Sequence, residues 1–583
     1  MEFLDYDIVI LGSGLAGMRA ALQAARASDG KARIALISKL HAMRSHSVSA
    51  EGGISGVLYP GEHGDSEDLH GYDTAKGGDF LGDQDAIEML VKHAPEEIKL
   101  FDHLGVPWNR DKDGKIVLRA FGGMSIPRTA FAEDKTGFFM LSALYDNLIE
   151  FDNIKIFHEH MATSLILDSH RFVGMTALDM ASGEMKAFVG KTGIIATGGF
   201  ARTFGFTTTA YSSTGDGAAL AYNAGLPLKD LEFIQFHPTG LIPSGILITE
   251  AARGEGAYLI NSKGERFMER YAKNKMELAP RDIVSRAIVT EIEEGRGLSE
   301  KRFGDMNFVH LDMRHLGESK LSERLPMVRE IALKMIGVDA ATEPLPVAPV
   351  AHFTMGGIHT NINGNVMFND KSATTGLWAV GECASVNVHG ANRLGSNSLS
   401  QCVIWGKMAG NAALQSIRDL GLTTELSPKL KKRIDAEEGK LHKLLESDGK
   451  ENPYDIRKAL WRTMDLKAGP YRNVKSLKQA KTEIAKLRKQ FNDIHIDDKS
   501  MVYNVNLRDS IEIMNMLDLA AVVVAGALAR KESRGAHARR DFTKRDDKSW
   551  MKHTIARRQA DGKIKLSYTP VKITKWKPEE RKY

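Results

Sequence analysis

A chain of 583 residues is too long for one ordinary hydrophobic core, and length alone suggests roughly three or four folding units. Its 43% hydrophobic and 26% charged content is normal for a soluble globular protein, and a net charge of +5 over this length gives no argument for a nucleic-acid partner. Two cysteines, Cys383 and Cys402, cannot by themselves hold an iron–sulfur cluster or a structural zinc ion, so no metal site is expected and any further electron carriers must sit on other chains.

The N-terminus runs almost directly into a strand with no signal or transit pattern, which as a native start suggests a bacterial or archaeal cytoplasmic protein. The opening reads "YDIVILGSGLAGMRAALQAARA". Ile8 to Leu11 is a continuous apolar run, as expected of a parallel strand buried on both faces. Gly12, Gly14 and Gly17 follow in G-x-G-x-x-G order, and Ala20, Ala21, Ala24 and Ala25 then recur at helical spacing. Strand, glycine turn and helix in that order predict a dinucleotide site, with the pyrophosphate on the positive helix N-terminus. The next strand, "RIALIS", ends at Ser38 and Lys39, where an ordinary NAD site places Asp or Glu. That departure leaves FAD open, with Ser38 as a candidate ribose contact. Beyond it, "MRSHSVSAEGG" sets one histidine, His46, among serines. Alone, it reads as a surface-loop residue.

A second apolar strand, "IIATGGFAR", ends at Thr197 and Gly198, and "STGDG" follows with Asp216, either a helix N-cap or a flavin contact. Then come His237 in "QFHPTG", Thr249, Glu250 and Arg253 in "LITEAARGEG", Arg281 at a helix start after Pro280, and His352 in "VAHFTMGGIHT". "HGANRLGSNSLSQC" adds Arg393, with Ser398 and Leu399 entering a helix. Each polar residue taken singly reads as a satisfied structural group. Together, two histidines, two arginines and a threonine in Gly- or Pro-marked turns suit a small dianion.

Past residue 415 the glycine turns thin out. Ser427 is a predicted N-cap with Pro428 in the first turn, and Leu430, Ile434, Leu441 and Leu445 share a helical face. Val474, Leu477, Ile484, Leu487 and Phe491 form a second such stripe, so the two read as antiparallel helices of a small bundle. No apolar run reaches the ~18 residues of a membrane helix, and the best candidate, near Ala520–Ala529, reads as a buried helix. The tail from Ser533 is rich in Arg, Lys and Asp; its mixed signs argue against nucleic acid.

On these motifs the chain resembles the flavoprotein subunits of the succinate dehydrogenase/fumarate reductase family along nearly its whole length. The resemblance rests on "GSGLAGMRAAL", "MRSHSVSAEGG", "FGGM", "DKTGF", "ATGG", "TGDG", "QFHPTG", "RGEG", "PRD", "MGGI", "HGANRLGSNSL" and "KESRGAH", in that order. It implies FAD joined covalently to His46 through its 8α-methyl, with Ser47 where the family usually has threonine. The implied cofactor contacts are Gly12, Ser13, Gly14, Leu15, Ala16 and Gly17, then Ser38 and Lys39, then Ser45, His46, Ser47, Glu51, Gly52 and Gly53. Further along they are Thr197, Gly198, Asp216, Glu382, Ser398 and Leu399. A four-carbon dicarboxylate, succinate or fumarate, is expected with one carboxylate on His237 and Thr249 and the other on His352 and Arg393, and with Phe121 excluding water. Arg281 is the implied acid/base residue, and Glu250 and Arg253 match the proton-relay positions. From chemistry alone Arg281 also reads as a mere carboxylate clamp, because free guanidinium hardly deprotonates.

The implied fold is an α/β, doubly wound FAD-binding domain (1–235 and 350–415) interrupted by an inserted α+β capping domain (236–349). A helical bundle domain (416–532) and a small C-terminal domain (533–583) complete it. Partners implied are an iron–sulfur subunit and membrane anchor subunits carrying quinone, with no nucleic acid, and a peripheral place on the cytoplasmic side of the cell membrane. Glu51 resembles fumarate reductases, where succinate dehydrogenases more often carry Gln. Two competing readings are an L-aspartate oxidase, which typically lacks the flavin-linking histidine, and a non-catalytic FAD-binding scaffold.

Overall fold

In the computed structural model, which describes residues 1–582, the strand Glu2–Leu11 lies mid-sheet. Tyr583, the last residue of the expected C-terminal domain, lies outside the described residues. Five strands run parallel in the order Ile154–Phe157, Ile34–Ile37, Glu2–Leu11, Met185–Ile195 and Ala373–Ala379. Ile8, Val9 and Ile10 are fully buried. Their alternation divides them between two cores: Val9, Leu11, Ala35 and Ile37 on one face, Ile8, Ile10, Ile34 and Leu36 on the other. This is why the strands read as unbroken apolar runs. A meander, His160–Asp168 then Arg171–Asp179, leads antiparallel into Met185–Ile195.

Helix Leu15–Ala27 packs against helix Asn397–Leu420. A Cβ on Gly406 would lie 2.6 Å from the Ala16 carbonyl oxygen, and one on Gly410 2.4 Å from that of Ala20. Small residues on both helices therefore bring the two backbones together, and this contact carries the second half of the nucleotide fold back beside the first.

Between the two halves, Ile234–Leu241, Leu345–Thr354, Val309–Asp312 and Tyr258–Ile260 form a separate antiparallel sheet in that order. Helix Arg281–Glu291 lies against it, and a core of its own gathers side chains from Leu241 to Ala348. The strands that enter and leave this unit sit side by side, so the substructure is hinged on one pair.

Helices Pro453–Lys467, Val474–Phe491 and Val505–Ala529 pack on one another. The helix Pro428–Leu445 is capped as expected, Ser427 Oγ accepting the Leu430 N–H at 3.3 Å. Its first turns, however, do not join a bundle. Leu430 and Ile434 pack on Ile166, Val173 and Ala187 of the meander. Val474 is also corrected: as the first residue of its helix it is 42% exposed, its N–H donated to Asp541. The third helix is 25 residues, well beyond the apolar stretch expected, and by length and composition it could cross a bilayer. With 72% of its apolar window buried by protein, it is a core helix here.

The hairpin Lys552–Arg558 and Ile564–Pro570 extends a sheet made with Leu228–Lys229, Gly357–His359 and Ala384–Ser385. The chain then returns to its beginning. Gln84 Oε1 accepts the N–H groups of Thr574, Lys575 and Trp576, and the Trp576 ring fills the space over Gly71, where a Cβ would lie 2.3 Å from it.

Candidate active site

One cavity of about 1630 Å³, measured out to its solvent mouth, runs between the nucleotide fold and the inserted unit. At one end lies the glycine turn. Gly12 has φ +109°, and a Cβ there would stand 2.3 Å from the Ala196 carbonyl oxygen. Gly14, the N-cap of Leu15–Ala27, offers no side-chain acceptor; Ser47 Oγ accepts the Leu15 N–H at 3.2 Å, and with Gly14, Leu15 and Ala16 on the wall the positive end of that helix faces the cavity. Gly17 does not line it. A Cβ on Gly17 would sit 1.9 Å from the Gly12 oxygen, so its task is to let the helix close onto the turn.

Ser13 and Ser38 share a hydrogen bond of 2.6 Å at the end of the second strand. Lys39 Nζ donates to Asp216 and to Glu512 at 2.6 Å each, and to the Ser212 carbonyl and Thr214 Oγ1 at 3.0 and 3.1 Å. Burial opposes its charge, but the two carboxylates outweigh it and push the ammonium up to about 12. Asp216 is not the N-cap. Gly215 is, at φ +80°, and the Asp216 carboxylate instead engages Lys39, Thr214 and Asn515.

Midway, His46 lies on a short turn beside Ser45 and Ser47. Its Nδ1 accepts the Ala210 N–H at 3.4 Å. Burial, with Arg202 adding to it, lowers the imidazole to about 4, so it is neutral at physiological pH. Glu51, Gly52 and Gly53 continue the wall, and Phe121 packs over Gly52. Thr197, Gly198, Glu382, Ser398 and Leu399 close the opposite side. Glu382 accepts the Thr354 N–H at 2.9 Å, and burial raises it to about 7.

The far end is cationic. Arg281 is the first residue of its helix, following Pro280. Its Nε donates to Glu250 Oε2 at 2.7 Å and its Nη1 to Gln235 Oε1 at 3.1 Å, and Glu250 Oε1 accepts the Gly122 N–H at 2.7 Å. Glu250 and Arg253 share a five-residue helix capped by Thr249, with Arg253 Nη2 3.8 Å from Glu250. Arg253 stands behind Glu250, off the cavity wall, with its Nε and Nη2 lacking a hydrogen-bond partner among the described residues. Across the space, Arg393 Nη2 meets His352 Nε2 at 3.2 Å, and His352 Nδ1 pairs with Thr208 Oγ1 at 2.8 Å. The rings of His237 and His352 are 5.1 Å apart.

Burial disfavours every charge here, and the guanidinium groups decide which survive. His237 and His352 are held neutral, well below the ordinary histidine value, first by burial and then by Arg281. Arg393 is lowered to about 9 by burial and then by Arg281. Burial works against the Glu250 carboxylate, but Arg281 and Arg253 outweigh it and hold it below its usual range. Arg281 and Arg393 thus face the cavity, with Arg253 behind the Glu250 carboxylate that it helps to keep ionised. This cationic end, with His237 Nε2 and Arg393 Nε lacking hydrogen-bond partners among the described residues, suits a small dianion.

Three contributors went unnoticed in the sequence. Gln235 ties Arg281 to Asn392 and to the Arg393 carbonyl at 2.9 and 2.8 Å. It lies two residues before His237 in a strand, the spacing that would have signalled it. Thr208 and Glu512 carry no local signal, since their partners lie far away in the chain.

A family model described as "FAD binding domain" matches residues 7–399, and one described as "Fumarate reductase flavoprotein C-term" matches residues 457–583. The fumarate reductase flavoprotein subunit of Haemophilus influenzae is 42% identical, covering 100% of this chain and 97% of its own length. The succinate dehydrogenase flavoprotein subunit of Rickettsia bellii is 43% identical over 98% and 96%. A mutated Escherichia coli quinol fumarate reductase FrdA superposes with a TM-score of 0.95 at 41% identity, covering 100% of this chain and 99% of that one. The glycine turn, the open helix end and the long cavity are those of an FAD site.

Proposed function

Because this chain belongs to the family of fumarate reductase and succinate dehydrogenase flavoprotein subunits, we propose a division of labour among its residues that interconverts succinate and fumarate. The chain is an FAD-dependent oxidoreductase of that type. The observation that carries the assignment of roles is the cluster of Arg281, Arg393, His237 and His352 lining one part of the dinucleotide cavity, with unpartnered donors among them.

His237 and Thr249 take one carboxylate of the diacid, and His352 and Arg393 take the other. His237, kept neutral, donates through its unpartnered Nε2 without adding charge, whereas His352 Nε2 accepts from Arg393 Nη2 and so orients that guanidinium group, and the guanidinium groups alone balance the dianion. Phe121 covers the space and excludes water, which strengthens each of these interactions. Bound FAD supplies the hydride acceptor or donor. Arg281 gives a proton to the substrate carbon during fumarate reduction and removes it during succinate oxidation. Glu250, in contact with Arg281 and backed by Arg253, refills and drains that proton. The inserted unit 236–349 acts as the cap, carrying Thr249, Glu250 and Arg281 over the cofactor domain.

His46 is joined covalently to FAD through Nε2. The Ala210 N–H uses the Nδ1 lone pair at 3.4 Å, which supports Nε2 as the nitrogen that would be alkylated. Lys39 orders the ribose end through Asp216. Electrons leave or arrive through an iron–sulfur subunit and a quinone-bearing membrane anchor, with this chain peripheral on the cytoplasmic side of a bacterial or archaeal membrane.

The test uses the purified complex with an oxidising dye and succinate, and separately with a reduced viologen and fumarate. Turnover in both is expected, together with none on L-aspartate. Consumption of L-aspartate with neither diacid reacting would replace this reading with an amino-acid oxidase.

Glu51 yields a further expectation. Burial and then Asp134 raise its carboxyl to about 8, against the pull of Arg119 and Thr249. A carboxyl with a raised pKa is uncharged below that value and ionises above it. Glu51→Gln should therefore leave turnover nearly unchanged at pH 7. Above pH 8 the unmodified enzyme gains a negative charge beside a dianion site and should bind diacid more weakly, whereas the variant should not. Identical KM–pH profiles for the two proteins would refute this.

A further inference from the structure

The final residues of the described chain return to the helix that bears Arg281. Arg581 donates to both carboxylate oxygens of Asp282, Nη2 to Oδ2 at 2.7 Å and Nη1 to Oδ1 at 3.3 Å. Its Nη2 also lies 3.2 Å from Asp79 Oδ2. The Asp282 side chain is fully buried, and that of Arg581 is 9% exposed. Asp282 sits in the first turn of the cap helix Arg281–Glu291, directly after Arg281. Asp79 belongs to the cofactor-binding body, where Gly535 N–H and Arg545 Nη1 also donate to it at 2.8 Å each. One guanidinium group thus spans the seam between cap and body.

The other ties of this helix to the C-terminal region are of a different kind. Arg286 Nη1 reaches the Gly535 carbonyl at 2.7 Å, and Thr290 meets the Tyr471 hydroxyl at 3.4 Å. Just past the helix, Arg540 pairs with Glu293 at an exposed rim, where an ion pair contributes little. Arg581 is therefore the paired charge buried beneath the turn that presents Arg281. Adjacent Cα atoms are fixed about 3.8 Å apart across a peptide bond, so a displacement of Asp282 is passed to Arg281 almost undiminished.

We propose that Arg581 is a positioning residue: it latches the cap helix to the cofactor-binding body and so sets Arg281 over the substrate. The proposal rests on the reading of Arg281 as the proton-transfer residue. The latch is built to release. When Arg581 withdraws, Asp282 keeps Arg286 at 3.0 Å, and Asp79 keeps Arg545 and the Gly535 N–H. Neither carboxylate is stranded without a partner, which is the condition that makes breaking a buried pair costly. The cap can then open and close around the diacid without leaving an unpaired buried charge.

The test compares Arg581→Gln and Arg581→Lys with the unmodified protein in the assembled complex. FAD content, kcat and KM for both diacids, and amide hydrogen exchange of residues 281–291 are read. Arg581→Gln should keep its FAD and lose about 10- to 100-fold in kcat, the scale expected when a reacting group is misplaced by about 1 Å. KM should move no more than about threefold, because His352 and Arg393 lie outside the pinned helix. Exchange in residues 281–291 should quicken. Arg581→Lys, which keeps a cation between the two carboxylates, should recover most of the kcat and the slow exchange. Unaltered kcat and exchange in a fully loaded Arg581→Gln complex would overturn the latch. So would failure of that variant to load FAD, which would make Arg581 a folding residue. If the unmodified complex turns over neither diacid, the reading of Arg281 has failed, and the exchange measurement still decides the latch.

Discussion

Arg281→Gln is expected to abolish turnover in both directions while leaving the flavin in place, with kcat lower by about 10³- to 10⁴-fold, the upper range for loss of a positioned acid or base. The geometry makes the loss specific. The guanidinium group is held by Glu250 at 2.7 Å and Gln235 at 3.1 Å, so its remaining donors are fixed toward the cavity. Glutamine neither carries the positive charge nor passes a proton. It also leaves the buried Glu250 carboxylate with the more distant Arg253 as its one neighbouring cation, beside the Gly122 N–H, placing negative charge at the proposed dianion site. Single-turnover and steady-state rates, with the flavin spectrum titrated by malonate, separate the outcomes. A variant that raises KM but keeps kcat would show Arg281 to be a clamp, with the proton moving through some other group.

The second large effect belongs to His46. His46→Ala should retain FAD, because the glycine turn, the open helix end and the Lys39 cluster all remain, but denaturation should then strip all of it from the polypeptide. Succinate oxidation should fall far more than fumarate reduction. A carbon–carbon single bond between two CH₂ groups is hard to dehydrogenate, and each ~30 mV by which the unlinked cofactor becomes a weaker oxidant costs about tenfold in a two-electron equilibrium. Fumarate reduction runs with that shift rather than against it. Fluorescence of the denatured polypeptide band and the ratio of the two dye-coupled rates are the measurements. Flavin left on the chain in the variant, or equal losses in both directions, would contradict the assignment.

Features written in neighbouring residues were legible in the sequence. The glycine turn is one, because Gly17 is demanded by the Gly12 carbonyl within the turn itself and Gly12 by its φ of +109°, although the Ala196 carbonyl that also crowds Gly12 and the Ser47 hydroxyl beside Gly14 come from farther along the chain. Arg281 at its helix start and Ser427 as a cap are others, each fixed within a turn. Of the expected site residues, Gly17 and Arg253 stand off the cavity wall, one packing backbone and one standing behind Glu250. What escaped were pairings made across long stretches of chain. Asp216 stayed open between a cap and a flavin contact because nothing nearby shows that Lys39 lies opposite it. The helix Pro428–Leu445 read as part of a bundle because a stripe of leucines records that a face is buried, not what buries it. Gln235 opens the stretch "QFHPTG" and was overshadowed there by His237, although a strand places the two on the same side.

The ion pair between Lys39 and Glu512 has a bearing on biogenesis. The two residues are 473 positions apart. At roughly 5–20 residues per second of synthesis, the strand and glycine turn leave the ribosome tens of seconds before the carboxylate that will secure their lysine. During that interval Lys39 has only Asp216, Thr214 and the Ser212 carbonyl to hold it, so the last lock on this part of the nucleotide fold waits for the late apolar helix.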